Sequence, residues 1–277
     1  MSWSVALAVL VGALLHACWN VLVKAGTDRQ RDTVTILTGA AVIAAGVLPF
    51  LPRLAYPCIP YLVTSVVIHV GYFLLVASAY RVGDLSLVYP LMRGTAPAMT
   101  ALVATTVLQE SLPPLGWAGL LLVCGGALLL VVEARKTSGS AIALSLGNAA
   151  VVVLYTLVDG LGARLSGHAL AYTGWMLLLT GFVVVVYAFV TDRSGFLTHL
   201  RGRCRIGLLG GACMVASYAL ALWAMTYAPI GLVAALRETS IIFGVMLAWL
   251  VLKESVKVLR WISIVTIASG GLLIKVC

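Results

Sequence analysis

The sequence predicts an all-α integral membrane protein of ten spans, built as two inverted five-helix repeats. Three observations predict it. The chain is 62% hydrophobic and only 10% charged, whereas roughly a quarter of the residues of a soluble domain are charged. Its apolar stretches run to about 20 residues, the length that crosses a hydrocarbon core of about 30 Å as a helix. The chain also repeats itself. A shift of 144 positions lays Arg93 on Arg237, Thr95 on Thr239, Leu108 on Leu252, Glu110 on Glu254, Ser111 on Ser255, Trp117 on Trp261 and Gly126 on Gly270, and 12 of the 37 positions from Arg93 to Leu129 are identical without a gap.

The spans fall at roughly residues 3–24, 33–52, 59–81, 84–109, 112–133, 140–163, 168–191, 203–228, 230–252 and 257–276. Runs of this length read as helices, because membrane strands are shorter and alternate in polarity. Span 1 follows Met1-Ser2-Trp3-Ser4 with no basic residue before it. A cleavable signal is therefore not expected there, despite the faint lipoprotein-like box Leu15-His16-Ala17-Cys18. Span 4 carries Pro90 and Pro97, and Pro97 removes the helix hydrogen bond to the carbonyl of Arg93, which marks either a broken helix at a binding site beside that arginine or an ordinary packing kink. Span 9 has neither proline. The connections hold only a few residues and leave no room for a soluble domain. Five spans are an odd number, so the second unit enters from the opposite face. Residues 1–136 form the expected first repeat and 137–277 the inverted second.

The formal net charge of +9 does not require a nucleic-acid partner. With ten spans, Lys24, Arg29, Arg31, Arg81, Arg135, Lys136, Arg193, Arg201, Arg203, Arg205, Lys253, Lys257 and Arg260 share one side, and Arg53, Arg164 and Lys275 the other. That asymmetry places the basic side in the cytoplasm, with both termini outside. An inner (plasma) membrane location follows as an expectation. The six cysteines form no CxxC pair and read as small buried hydrophobes.

Arg93 lies nine residues past Asp84, and Arg237 eight past Pro229. At about 1.5 Å per residue each sits roughly 12–14 Å into a core of about 30 Å, so both approach the midplane from opposite faces. Charges at that depth are costly and mark functional sites, and transporters built from inverted repeats bind substrate there.

Two five-span units, each with a short acidic turn (Leu108-Gln109-Glu110-Ser111 and Leu252-Lys253-Glu254-Ser255) before a glycine-rich last span, resemble the EamA branch of the drug/metabolite transporter superfamily. His16-Ala17-Cys18-Trp19-Asn20 in span 1 and Tyr155 to Gly162 in span 6 are similar to segments of a bacterial subgroup. The resemblance covers essentially the whole chain. It implies transport, with spans 1, 3, 4, 6, 8 and 9 around a central cavity, and does not choose a substrate.

Helical spacing puts His16, Asn20 and Lys24 on one stripe of span 1, with Trp19 beside it; Asn148, Tyr155 and Asp159 on one face of span 6; and His69, Tyr72, Phe73 and Tyr80 on one face of span 3. Span 8 adds Ser217 and Tyr218, with Trp223 on another face. The expected substrate-binding set is Arg93, Arg237, His16, Trp19, Asn20, Tyr72, Tyr155 and Tyr218. Adjacent helix residues point about 100° apart, so Glu238 does not neutralise Arg237 from its own helix. A guanidinium fork suits a carboxylate or phosphonate, which gives a small, acid-bearing, amino-acid-like metabolite as the expected substrate, carried by alternating access. Glu238 and Asp159 are the expected proton-coupling groups.

No Walker-type loop, HExxH, GxSxG or paired intramembrane aspartate is present. Neither an enzyme nor a cofactor is expected, and the expected partners are a small-molecule substrate and the lipid bilayer. If instead Asp159 and Glu238 neutralise both arginines, Trp19, Tyr72, Tyr155, Tyr218 and Trp223 would form an aromatic box for a cationic amine or drug. Carriage of an anionic lipid precursor is a further alternative.

Overall fold

The computed structural model describes residues 1–82, 85–133, 139–253 and 257–277, leaving aside the side chains of 73–90, 133, 141 and 252. Phe73, Tyr80, Pro90 and Glu254, named above for their side chains, lie outside that description, as does the expected repeat boundary at 136/137. The helices in order are α1 (Trp3–Lys24), α2 (Arg29–Val47), α3 (Ile59–Val82), α4 (Leu85–Thr106), α5 (Pro114–Leu129), α6 (Gly139–Ser166), α7 (Ala169–Thr191), α8 (Arg193–Met225), α9 (Ile230–Arg237), α10 (Ser240–Leu252) and α11 (Val258–Val276). Helices α9 and α10 together make span 9. Eight described helical stretches are long and apolar enough to cross a membrane; α3 and α4, at 24 and 22 residues, occupy the two remaining predicted spans.

Side-chain caps set several helix starts by accepting orphan backbone N–H groups. Ser2 accepts from Val5, Asp28 from Arg31, His168 from Ala171 and Asp192 from Gly195. Helix α8 begins well before the predicted span, at Arg193 rather than 203. A straight helix of its 33 residues would be about 50 Å long, far beyond a hydrocarbon core of about 30 Å. It bends at Arg203, whose backbone leaves the helical region (φ −125°, ψ 22°). The portion 193–202 looked like a connection because it is rich in arginine, yet Phe196 is buried beneath it. The basic residues do not end the helical structure there.

Packing obeys the two-fold exchange that the repeat predicts. Helix α1 packs on α8, and their repeat equivalents α6 and α3 pack on each other; α4 packs on α6 as span 9 packs on α1. The pairs α2 with α7, α4 with α9 and α5 with α11 exchange into themselves. The turns agree in backbone detail. Gln109 and its equivalent Lys253 are the two non-glycine residues with positive φ among those described, both at 55°. Each follows the end of its span.

Between helices in lipid, close contact of small residues replaces the hydrophobic effect as the packing force. Helices α5 and α11 cross so tightly that a Cβ on Gly119 would lie 2.7 Å from the Gly270 carbonyl oxygen, and one on Gly270 2.6 Å from that of Gly119. The two-fold maps this contact onto Gly126 and Ser263, where the Ser263 hydroxyl donates to the Gly126 carbonyl at 2.6 Å.

Two charged clamps hold opposite ends of the bundle. At one, buried Asp32 on α2 takes Arg203 Nε at 2.5 Å and His199 Nε2 at 3.0 Å. At the other, Arg164 at the end of α6 donates to Glu110 at 2.7 Å and to the carbonyls of Met225 and Ala228, while Glu110 accepts from the Ile230 N–H that opens α9. Span counting assigned Arg164 only to a side of the membrane; the structure makes it a brace for span 9.

Gly119→Leu and Gly270→Leu should each lower the melting temperature of detergent-purified protein by several degrees. Gly125→Leu, with nothing within 4 Å of the added Cβ, should leave it near wild type. Equal melting of all three variants would contradict the glycine contact as a packing determinant.

Candidate functional site

The discontinuity beside an arginine lies in the repeat opposite to the one the sequence suggests. Helix α4 runs unbroken from Leu85 to Thr106 through Pro97. Proline removes one N–H, and a membrane helix absorbs that loss when its neighbours hold it in place. Span 9, without a proline, is the one that breaks. Glu238 and Thr239 leave the α ladder, with φ/ψ of −66°/−13° and −57°/−15°. Their N–H groups bond three residues back, to Ala235 and Leu236, as do those of Ile241 and Ile242 to Glu238 and Thr239. This tight turn separates α9 from α10 and directs the Glu238 side chain across the two-fold towards the other repeat.

There it meets Arg93. Glu238 Oε2 lies 2.9 Å from Arg93 Nε, out of line for a hydrogen bond, so the contact is an ion pair. Arg93 Nη2 also donates to Ser240 Oγ at 3.2 Å. Arginine and glutamate are 9% and 5% exposed, so their charges answer each other in a medium where neither would survive alone. The repeat equivalent of Glu238 is Gly94, which packs against Leu128 and the Cys124 carbonyl. The position equivalent to Glu238 therefore sends no carboxylate to Arg237. Among the described residues no acid lies within ion-pair distance of Arg237; its guanidinium rests on the Tyr218 ring, 5.2 Å from the centroid. A cation on an aromatic face gains about 0.5–2 kcal/mol, less than a buried ion pair supplies.

The alternative in which Asp159 neutralises an arginine finds no such pair among the described residues. Asp159 is fully buried. It accepts from the Tyr172 hydroxyl at 3.1 Å and from the Tyr218 hydroxyl in a very short bond, and His69 Nε2 lies 3.9 Å away. Tyr218 thus links the two: its ring carries Arg237 and its hydroxyl serves Asp159. The His69 ring stacks on Tyr155 at 4.6 Å, and Tyr72 meets Tyr155 edge-on at 5.6 Å.

A narrow gap with free room of about 20 Å³, partly open to the outside, lies where α4, α6 and span 9 meet. It is lined by Arg93, Arg237, Glu238, Tyr155, Thr156, Pro97 and Thr100 with Ala96, Val152 and Ala234. This gap has room for about one water molecule, well short of the roughly 300 Å³ or more of a small-molecule site. Of the expected binding residues, Arg93, Arg237 and Tyr155 line it. Tyr218 and Tyr72 stand behind it, the one against Arg237 and the other against Tyr155.

Span 1 contributes less than its stripe suggests. Trp19 packs edge-on against His16 at 5.1 Å, and the Asn20 amide donates to the His16 carbonyl at 2.8 Å, inside its own helix. Trp223 packs on Tyr227. The roles of Glu238, Ser240 and Tyr172 in organising the site could not be read from helical stripes, because they depend on the turn in span 9 and on which helix lies opposite.

Residues 139–276, the second half of the chain, match the model of the EamA-like transporter family. No curated protein matches the chain. One solved structure, titled "Crystal structure of protein", superposes over 100% of this chain and 98% of its own with a TM-score of 0.74 at 18% identity. At that identity the likeness is one of fold alone.

Glu238→Gln should lower the melting temperature markedly, because it strands the Arg93 charge; losing one partner of a buried pair costs about 3–5 kcal/mol. The double variant Arg93→Gln/Glu238→Gln should recover much of the loss, and Arg237→Gln alone should melt near wild type. If Arg237→Gln were as damaging as Glu238→Gln, Arg237 would have a structural partner that the geometry does not provide.

Proposed function

We propose, from the premise that this chain belongs to the EamA-like transporter family, that it is a secondary transporter of a small metabolite whose acid group binds Arg237. As a member of that family it is a multi-pass membrane transporter of the drug/metabolite type. The finer reading rests on one observation: of two arginines related by the repeat, Arg93 faces Glu238 while the position that would answer Arg237 is Gly94.

A cation at the wall of a narrow gap, held among the described residues by an aromatic face, favours a ligand anion over leaving the charge unanswered. The guanidinium fork offers a carboxylate or phosphonate two parallel donors. Glu238, engaged by Arg93, then serves to hold α4 against span 9 and to keep Arg93 from competing for the ligand. Tyr155 and Thr156 supply an aromatic wall and a hydroxyl for the remainder, and an ammonium group beside the acid would face Tyr155 and Glu238. An amino-acid-like metabolite fits this division.

The cationic-amine reading fares worse, because Trp19 and Trp223 pack elsewhere and leave its aromatic box incomplete. The two inverted repeats supply the halves that rock about the cavity, and the clamps at Asp32 and at Glu110–Arg164 lie at the ends that open alternately. The basic face points to the cytoplasm, and an inner (plasma) membrane location is part of the proposal.

Arg237→Gln should abolish uptake or exchange of acid-bearing metabolites in reconstituted liposomes while protein level and melting temperature stay near wild type. Arg237→Lys should restore a small part, since a point charge lacks the fork. Normal transport by Arg237→Gln would refute the assignment.

A further inference from the structure

We propose that His69 and Asp159 together form a proton-binding site, set behind the substrate cavity, whose occupancy is linked to Arg237 through Tyr218; the inference builds on the transport reading above. It starts from the tautomer of His69. Its Nδ1 lies 3.0 Å from the backbone carbonyl oxygen of Ser65 and 3.2 Å from the Ser65 hydroxyl. A carbonyl oxygen can only accept, so Nδ1 carries the hydrogen. In the neutral ring Nε2 is then a bare lone pair, and it faces Asp159 Oδ2 at 3.9 Å. The carboxylate oxygen also has only lone pairs to offer. Two acceptors confront each other around a fully buried carboxylate, an arrangement that costs free energy until something positive joins it.

Among the described residues, the surrounding groups do not supply that charge. From α7 the Tyr172 hydroxyl and from α8 the Tyr218 hydroxyl donate to Asp159 but keep their protons. Tyr155 on α6 and Tyr72 on α3 are neutral rings beside His69. Arg237 on α9 stands on the far side of the Tyr218 ring, Arg93 on α4 is engaged by Glu238, and His16 on α1 packs on Trp19. One proton added between Nε2 and Oδ2 resolves the conflict, as imidazolium with carboxylate or as imidazole with carboxylic acid. It comes from water on one side of the membrane and returns to water on the other, and no bond of the substrate changes.

The link to substrate runs through two aromatic residues. Tyr218 holds the Arg237 guanidinium on its face and Asp159 on its hydroxyl, so an anion that draws Arg237 into the cavity releases the ring that positions the Asp159 hydrogen bond. Tyr155 lines the cavity on one face and stacks on His69 with the other. Glu238, committed to Arg93, is not the proton carrier in this arrangement.

Two measurements test the site. Nitrogen-15 NMR of histidine-labelled protein, with the His69 signal identified by its loss in His69→Gln, needs no substrate. The expected neutral form has hydrogen on Nδ1, Nε2 gains a proton as pH falls, and the midpoint moves by about one pH unit or more in Asp159→Asn. A neutral ring protonated at Nε2, or a midpoint unmoved by Asp159→Asn, would overturn the proposal.

In liposomes enclosing a pH-sensitive dye, with a mixture of the twenty radiolabelled L-amino acids as probe, the wild type should accumulate probe under a pH gradient with matching proton movement. His69→Gln and Asp159→Asn should lose that accumulation at least tenfold but retain probe-for-probe exchange at equal pH. Accumulation by both variants, or wild-type accumulation that follows a sodium gradient instead, would overturn it. Absence of any probe exchange by the wild type would count against the acid-substrate reading alone, with the NMR result still deciding the proton site.

Discussion

An arginine at the centre of a membrane must be answered from within the protein, because lipid offers it nothing. The contact between Arg93 and Glu238 is such an answer, and much of the central architecture follows from it. To reach Arg93 at 2.9 Å, Glu238 must leave the line of its helix, and span 9 breaks at Glu238 and Thr239 to let it do so. Just past the break, the Ser240 hydroxyl accepts a hydrogen bond from the same guanidinium. Three consecutive residues after Arg237 are thus spent on closing one repeat against the other.

The same contact creates the imbalance that gives the site its character. A perfectly symmetric duplication would place two acids opposite two arginines and leave a sealed, neutral junction. Gly94 in the place of Glu238 removes one of the acids. Arg237 is left on the face of Tyr218, and Asp159, which could have served it, is occupied by two tyrosine hydroxyls and a histidine. The charged interior therefore divides into a closed pair, an open cation at the cavity wall, and a buried carboxylate behind it. Membership of the EamA-like family makes this the interior of a membrane transporter.

Much of this was legible in the sequence where a rule of length or period applies. All ten spans fall within a few residues of their predicted places, except the start of α8, where basic residues were read as a loop although Phe196 anchors a helix at the membrane edge. The equivalence of Gly126 with Gly270 marked the helices that cross closely. Local chemistry misled at Pro97, since a missing N–H is a small perturbation in a helix held on several sides, whereas a buried charge demands a partner at whatever backbone position supplies it. The stripe on span 1 shows another limit of spacing. Helical spacing tells which residues share a face but not whether a side chain such as Asn20 finds a nearer acceptor in its own helix.

The sequence by itself pointed to a multi-pass, all-helical membrane protein with an internal repeat, and to the inversion of its halves, the depth of both arginines and the glycine-for-glutamate difference as expectations. These follow from hydrophobic length, an odd number of spans and the rise of a helix, none of which needs a third dimension. Only the tertiary structure decided which acid answers which arginine, that Tyr218 joins Arg237 to Asp159, and that His69 faces that carboxylate with a lone pair. Those are matters of distance between helices remote in the chain, fixed by packing, and electrostatic energy in a low-dielectric interior depends on that distance above all.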